Sequence, residues 1–202
     1  MEKEIYEQPN AILNTLDGRV GGDDILENIF GEGSTDLFAK VKRIQITACG
    51  TSLHAGRVAA NWFSAIAGLP TQIDFASEYR YKNPYVDKNT LLVTISQSGE
   101  TADTLAALRY AKDKDYLASL AICNVPTSSL ARESDFLLLT NAGPEIGVAS
   151  TKAFLGQMLV LYILCLKIAQ KRKDIKESVY QKYIKNLKSL PEALKKSLQV
   201  EN

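Results

Sequence analysis

The amino-acid sequence predicts an α/β protein, a five-stranded parallel sheet flanked by helices around one hydrophobic core. Three observations lead to that fold class. Five short β-type runs alternate with segments of helical spacing. A unit of strand, glycine- and hydroxyl-rich turn, and helix occurs twice, over 43–67 and 91–113. With 202 residues and 46% apolar content the chain can bury one full core, so one domain with extensions is expected.

Taken in order, Met1 to Leu16 reads as partly helical, and residues 1–34 carry Gly18, Gly21, Gly22, Gly31 and Gly33 among scattered charges. They are expected to form an N-terminal extension. Residues 35–170 are expected to form the domain. Its first strand is Arg43 to Ala48, followed by the turn Cys49-Gly50-Thr51-Ser52. Leu53, Val58, Trp62, Phe63 and Ile66 then fall at helical spacing, and Gly68 and Pro70 stop that helix at Ala67. Gln72 to Ala76 is the second strand and Leu91 to Ile95 the third, running through Ser96-Gln97-Ser98-Gly99-Glu100-Thr101 into a helix from Ala102 to Asp113. Leu117 to Cys123 and Phe136 to Thr140 supply the fourth and fifth. A third hydroxyl-rich turn, Gly147 to Lys152, opens a helix from about Ala153 to Ile168. Residues 171–202 form the C-terminal connection. There Tyr180, Tyr183, Ile184, Leu187 and Leu190 repeat at helical spacing beside a Lys-rich face, which reads as solvated surface rather than a nucleic-acid patch.

Alternating strands and helices imply right-handed crossovers and a sheet covered on both faces. The common flavodoxin-like order 2-1-3-4-5 sets the first and third strands side by side where the winding reverses, and ligands bind outside their carboxyl ends. Thr51, Ser52, Ser96, Ser98 and Thr101 are then neighbours. Each turn precedes a helix N-terminus, where unsatisfied N–H groups and the positive end of the dipole suit a phosphate. No Lys or Arg lies within Ser96 to Thr101, so the expected ligand is held by aligned neutral donors and released again. An ordinary Ser/Thr cap explains one such turn taken alone. Three such turns favour a site.

Other classes fall away. A formal net charge of +1 recruits neither nucleic acid nor anionic lipid. His54 is the sole histidine, and Cys49, Cys123 and Cys165 have no paired spacing, so no metal site, no cofactor and no structural disulfide is expected. Cys49 stands near a helix N-terminus without a base partner, which favours packing over catalysis. Gly31-Glu32-Gly33-Ser34 lacks the strand and third glycine of a dinucleotide fingerprint, and Gly147 to Lys152 does not have P-loop spacing. There is no signal peptide, and Met158 to Ile168 is too short an apolar run to span a bilayer, so a cytoplasmic protein is expected. Glu100 and Glu145 are the carboxylates nearest the turns. Either is a candidate base for an aldose–ketose isomerisation, although Glu100 also reads as an ionised first-turn acid and Glu145 as a loop brace.

Cys49-Gly50-Thr51-Ser52, Ser96 to Thr101, Ile122-Cys123-Asn124-Val125-Pro126 and Glu145 to Phe154, with the opening Lys3-Glu4-Ile5-Tyr6-Glu7-Gln8-Pro9, resemble the first sugar-isomerase (SIS) domain of the glutamine–fructose-6-phosphate aminotransferase family. The resemblance runs over nearly the whole chain. It implies that Ser52, Ser96, Gln97, Ser98 and Thr101 hold the phosphate of fructose 6-phosphate or glucosamine 6-phosphate. It also implies that Thr51, Val148 and Ser150 meet the sugar, with Gly50 and Ala149 completing the substrate-binding set. In that family the enolisation glutamate, the ring-opening histidine and the imine-forming lysine belong to a second SIS domain and its tail, and glutamine is hydrolysed by a separate N-terminal domain. The expectation is therefore an inactive fragment that keeps the phosphate cradle, without catalytic residues, pairing as a homodimer and partnered in the parent enzyme by the glutaminase and second SIS domains. The alternatives are a free-standing SIS isomerase or sensor using Glu100 or Glu145, and a sheet domain serving only for dimerisation.

Overall fold

The computed structural model describes residues 1–199; the last three residues of the expected C-terminal connection lie outside them. The chain opens with helices α1 (Glu2–Tyr6) and α2 (Gln8–Leu16), a two-stranded antiparallel ribbon β1 (Val20–Gly21) and β2 (Asp24–Ile25), a 3-10 turn over Glu27–Phe30, and α3 (Ser34–Phe38). Then follow β3 (Arg43–Ala48), α4 (Gly50–Ala67), β4 (Thr71–Phe75), α5 (Ala76–Tyr79), β5 (Thr90–Ile95), α6 (Ala102–Lys112), β6 (Ala118–Cys123), α7 (Ser129–Glu133), β7 (Phe136–Leu139), α8 (Lys152–Arg172) and α9 (Glu177–Gln199).

β3 to β7 form one parallel sheet in the order β4-β3-β5-β6-β7, the 2-1-3-4-5 arrangement expected from the sequence. Side-chain alternation divides the core. Leu91, Val93 and Ile95 of β5 point to the face covered by α2, α4, α8 and α9, whereas Leu92 points to the face covered by α5, α6 and α7. Helices on both faces leave β5 and β6 buried at every position, which is why these strands read as continuous apolar runs. β4 lies at the edge and is only partly covered.

α8 is longer than the sequence reading proposed. At 21 residues it is long and apolar enough to cross a membrane on length and composition alone, yet most of it is buried inside the protein. It packs against α2, α3 and α4 as a core helix. Gly56 of α4 allows close approach to the sheet, since a Cβ there would lie 2.9 Å from Cγ2 of Ile46.

The N-terminal residues are fastened to this core. Lys167 of α8 is fully buried; its ammonium donates to the Ile25 carbonyl at 2.8 Å and pairs with Asp24 at 3.3 Å. The Asp24 carboxylate also accepts from the Tyr180 hydroxyl of α9 at 2.6 Å, from Gln170 at 3.2 Å and from the Ile25 N–H at 2.7 Å. Burial alone would push its pKa up. The Tyr180 hydroxyl, the Lys167 charge and the Ile25 N–H together overcome that and hold it below the usual aspartate value.

Candidate functional site

β3 and β5 are adjacent, with Ala48 opposite Ile95, so the turns leaving their carboxyl ends start side by side. After β3, Cys49 is extended (φ −122°, ψ 157°) and Gly50 takes φ +54°, which lets α4 begin at once. After β5, the loop Ser96 to Thr101 leads into α6. Cys49 and Thr101 occupy the N-cap positions of α4 and α6, and neither side chain makes a capping hydrogen bond. Two helix N-termini without side-chain caps, on neighbouring strands, therefore present backbone N–H groups and their positive dipole ends. Thr51 is exposed and Ser52 half-buried on the first turn of α4.

Within the second loop the hydroxyls have distinct tasks. Ser96 is buried; its Oγ accepts the Gly99 N–H at 3.1 Å and shares a hydrogen bond of 2.9 Å with the Thr101 hydroxyl. If Ser96 donates in that pair, the Thr101 proton is free for a ligand. The half-exposed Ser98 accepts the Glu100 N–H at 3.2 Å, leaving its own proton to donate. Gln97 is half-buried, and its carbonyl accepts the Asn124 N–H at 3.0 Å. Gly99 has φ +68°, and a Cβ there would fall 2.1 Å from the Ser128 hydroxyl, so only glycine fits.

The two candidate bases are already engaged. Glu100 accepts the Ser129 N–H at 2.7 Å, and this bond lowers its pKa further into the ionised range. Glu145 accepts the N–H groups of Thr151 at 2.8 Å and Ala153 at 3.2 Å and the Ser150 hydroxyl at 2.9 Å, which makes it a carboxylate cap on α8. Beside it Val148 and Ala149 are exposed and Ser150 half-buried. His54 is exposed on α4, and Cys123 is buried, with its thiol pKa pushed up by that burial.

Thus Gly50, Thr51 and Ser52 stand beside Ser96, Gln97, Ser98 and Thr101 through strand pairing, whereas Val148, Ala149 and Ser150 follow β7, at the far edge of the sheet. Asn124 ties the second loop to the segment 140–143 that leads out of β7. Besides its N–H bond to Gln97, its Nδ2 donates to the Gly143 carbonyl at 2.8 Å, and its Oδ1 accepts from Thr140 Oγ1 and the Ala142 N–H, each at 2.9 Å. This bridging role was not read from the sequence; a lone polar residue just after an apolar strand was the available signal. A polar cavity of about 240 Å³ lined by Arg43, Gln45, Gln72 and Tyr116 lies at the opposite, amino end of the strands, away from any helix N-terminus of the sheet. An apolar cleft of about 340 Å³ lies between α2, α4, α8 and α9. Neither has the donors of the turns.

Residues 37–167 match the model of the SIS domain family. The chain belongs to the SIS domain family. Among curated SIS relatives it is 54% identical over 198 residues to the glutamine–fructose-6-phosphate aminotransferase (isomerizing) of Pseudomonas syringae pv. tomato and 51% identical to that of Escherichia coli K12, covering 98% of this chain in each case. It spans only 32% of the length of either relative. The C-terminal domain of glucosamine-fructose-6-phosphate aminotransferase from Francisella tularensis superposes with a TM-score of 0.91 at 46% identity, over 94% of this chain and 53% of that one. A glucosamine-6-phosphate deaminase from Thermotoga maritima, 23% identical with a TM-score of 0.67 over 95% of this chain and 53% of that one, shares the fold.

Proposed function

We propose that this SIS domain binds a hexose 6-phosphate, as the first SIS domain of an isomerase region of the glutamine–fructose-6-phosphate aminotransferase kind, and that its own described residues do not carry the chemistry. The observation that carries this reading is the pair of helix N-termini without side-chain caps at the carboxyl ends of the adjacent β3 and β5, surrounded by hydroxyls and without a cation in either turn. A phosphate dianion there receives backbone N–H groups of α4 and α6 and the hydroxyls of Ser52, Ser98 and Thr101, while Ser96 holds the loop in shape and Gln97 adds an amide. Gly50 and Thr51 lie towards the sugar, which extends to Val148, Ala149 and Ser150. Neutral donors release the product more readily than an Arg clamp would.

Binding rather than isomerisation is favoured because the two nearby carboxylates are committed. Glu100 accepts the Ser129 N–H, which lowers its pKa, and Glu145 is occupied by the N–H groups of Thr151 and Ala153 and the Ser150 hydroxyl, so both carboxylates are engaged within the protein and neither is poised beside a carbonyl. The parent enzyme on this reading supplies the base, acid and lysine from a second SIS domain and ammonia from a glutaminase domain, in the cytoplasm, with the SIS domains paired as a dimer. The test is titration of the chain with fructose 6-phosphate and glucosamine 6-phosphate, followed by incubation of fructose 6-phosphate with ammonia. Saturable binding of at least one ester without glucose 6-phosphate or glucosamine 6-phosphate formation is expected. Sustained turnover would favour a free-standing isomerase.

A further inference from the structure

The loop that carries Val148, Ala149 and Ser150 is held from outside by the first helix of the chain. Glu4 of α1 is buried, at 6% exposure, and its Oε1 accepts two consecutive loop N–H groups, Ile146 at 2.6 Å and Gly147 at 2.9 Å. A Cβ at Gly147 would lie 2.4 Å from Glu4 Oε2, so glycine at that position is what allows the carboxylate to seat. One turn further along, Glu7 binds the ammonium of Lys152 at 2.5 Å. Lys152 is itself buried and is the first residue of α8, where the helix dipole disfavours a cation. A partner carboxylate is therefore needed there, and it comes from the same segment. Glu145 braces the C-terminal half of the loop through Ser150 and Thr151, while the crest packs little of its own side-chain surface, with Ile146 90% exposed and Val148 fully exposed. The bonds from Ile146 and Gly147 are also the main reason the Glu4 pKa is lowered.

We propose that Glu4 and Glu7 form a latch that fixes the loop 144–151 in the shape that meets the sugar, so that the N-terminal segment sets sugar affinity without touching the phosphate cradle. Glu4 and Glu7 are positioning residues. Their effect on ligand rests on the functional reading above; their hold on the loop does not. A segment that reaches the loop through two carboxylates also offers a route by which anything that moves the N-terminus changes sugar binding.

The experiment compares the full chain with Glu4→Ala, Glu4→Gln and Glu7→Gln. Amide exchange is read at Ile146 and Gly147, and binding is measured with glucosamine 6-phosphate and with inorganic phosphate. In Glu4→Ala both amides should exchange faster, and the sugar phosphate should bind about tenfold more weakly as two charge-assisted bonds to the loop are lost. Inorganic phosphate should bind within about twofold of the parent, because its donors lie on α4 and α6. Glu4→Gln keeps a carbonyl acceptor and should fall between. Should Glu4→Ala not fold, Glu4→Gln carries the same comparison at the same two amides, and Glu7→Gln tests the Lys152 contact separately. Unchanged exchange at both amides overturns the latch, as does equal weakening of both ligands. A parent chain that binds neither ligand overturns the functional reading and the affinity claim with it, while the exchange rates still decide whether Glu4 holds the loop.

Discussion

Ser96 directs its hydroxyl into the loop, Ser98 keeps a proton to give and Thr101 does so when Ser96 is the donor of their shared bond, and that division decides what substitutions should do. Ser96→Ala removes the acceptor of the Gly99 N–H and the partner of Thr101, so it should loosen the loop as well as weaken ligand binding. Ser98→Ala and Thr101→Ala keep the Gly99 N–H bond to Ser96, while the first loses the acceptor of the Glu100 N–H and the second the Ser96–Thr101 hydrogen bond. Gly99→Ala should be the most damaging single change in the loop, since it adds a methyl 2.1 Å from Ser128 Oγ at a positive φ. A loss of about 1–3 kcal/mol, read by urea unfolding, is expected; a loss under about 0.5 kcal/mol would mean the backbone adapts freely. The hydroxyl-rich turns were legible in the sequence because glycine, serine and threonine between an apolar run and a helix have a local physical meaning. Glu4 and Asn124 were not, because their partners lie far along the chain and only the folded sheet brings them together.

At the level of elements, the five strands and the helices α4, α6 and α8 were readable from periodicity, with ends shifted by a few residues. The ribbon β1–β2 was missed since two residues have no period, and α5 and α7 since four or five residues show less than two turns. α8 extends beyond its apolar stretch through Lys152 at one end and Gln170 to Arg172 at the other, where hydropathy alone sees no helix. Its interior should be sensitive: Leu164→Ala, at a fully buried site, should lower stability by about 2–5 kcal/mol in urea unfolding. The junction of β2, α8 and α9 should show in the pH dependence. Asp24 has a depressed pKa, so its contribution is present above the unfolded value of 3.8 and is lost as pH falls through the lower folded value. Tyr180→Phe removes one donor to that carboxylate. Its stability deficit should therefore be constant near neutrality and shrink in unfolding measured below about pH 4; a deficit independent of pH would place the cost in packing.

For the whole molecule, the order 2-1-3-4-5 makes β3 and β5 neighbours and starts their two hydroxyl-rich turns side by side, the juxtaposition on which the proposed site rests. The same order puts the third turn across the sheet, where the first helix ties it in and Asn124 holds the segment 140–143 before it. Family membership was foreseeable from the motifs, and the strand order from the alternation of strands and helices taken with the common order of such sheets. Glu145 braces its own loop as the sequence suggested, whereas Glu100, read as a first-turn acid of α6, lies one residue before the N-cap Thr101 and accepts the Ser129 N–H at the start of α7. The central claim is that a sugar phosphate sits on the N-termini of α4 and α6 and is held by Ser98 and Thr101. If each hydroxyl contributes about 0.5–1.5 kcal/mol, with more for a bond to a charged oxygen, the double variant Ser98→Ala/Thr101→Ala should bind about tenfold to a few hundredfold more weakly. The most direct measurement is the ligand-induced rise in melting temperature of parent and double variant, each compared with its own unliganded form. At a concentration of glucosamine 6-phosphate or fructose 6-phosphate near 100 times the parent dissociation constant, the parent gains about 2.7 kcal/mol. At the same concentration the double variant should gain only about 1.4 kcal/mol if binding is tenfold weaker and about 0.2 kcal/mol if it is a few hundredfold weaker, so its rise should be about half the parent's or less. Equal rises in the two proteins would place the phosphate elsewhere and contradict the account.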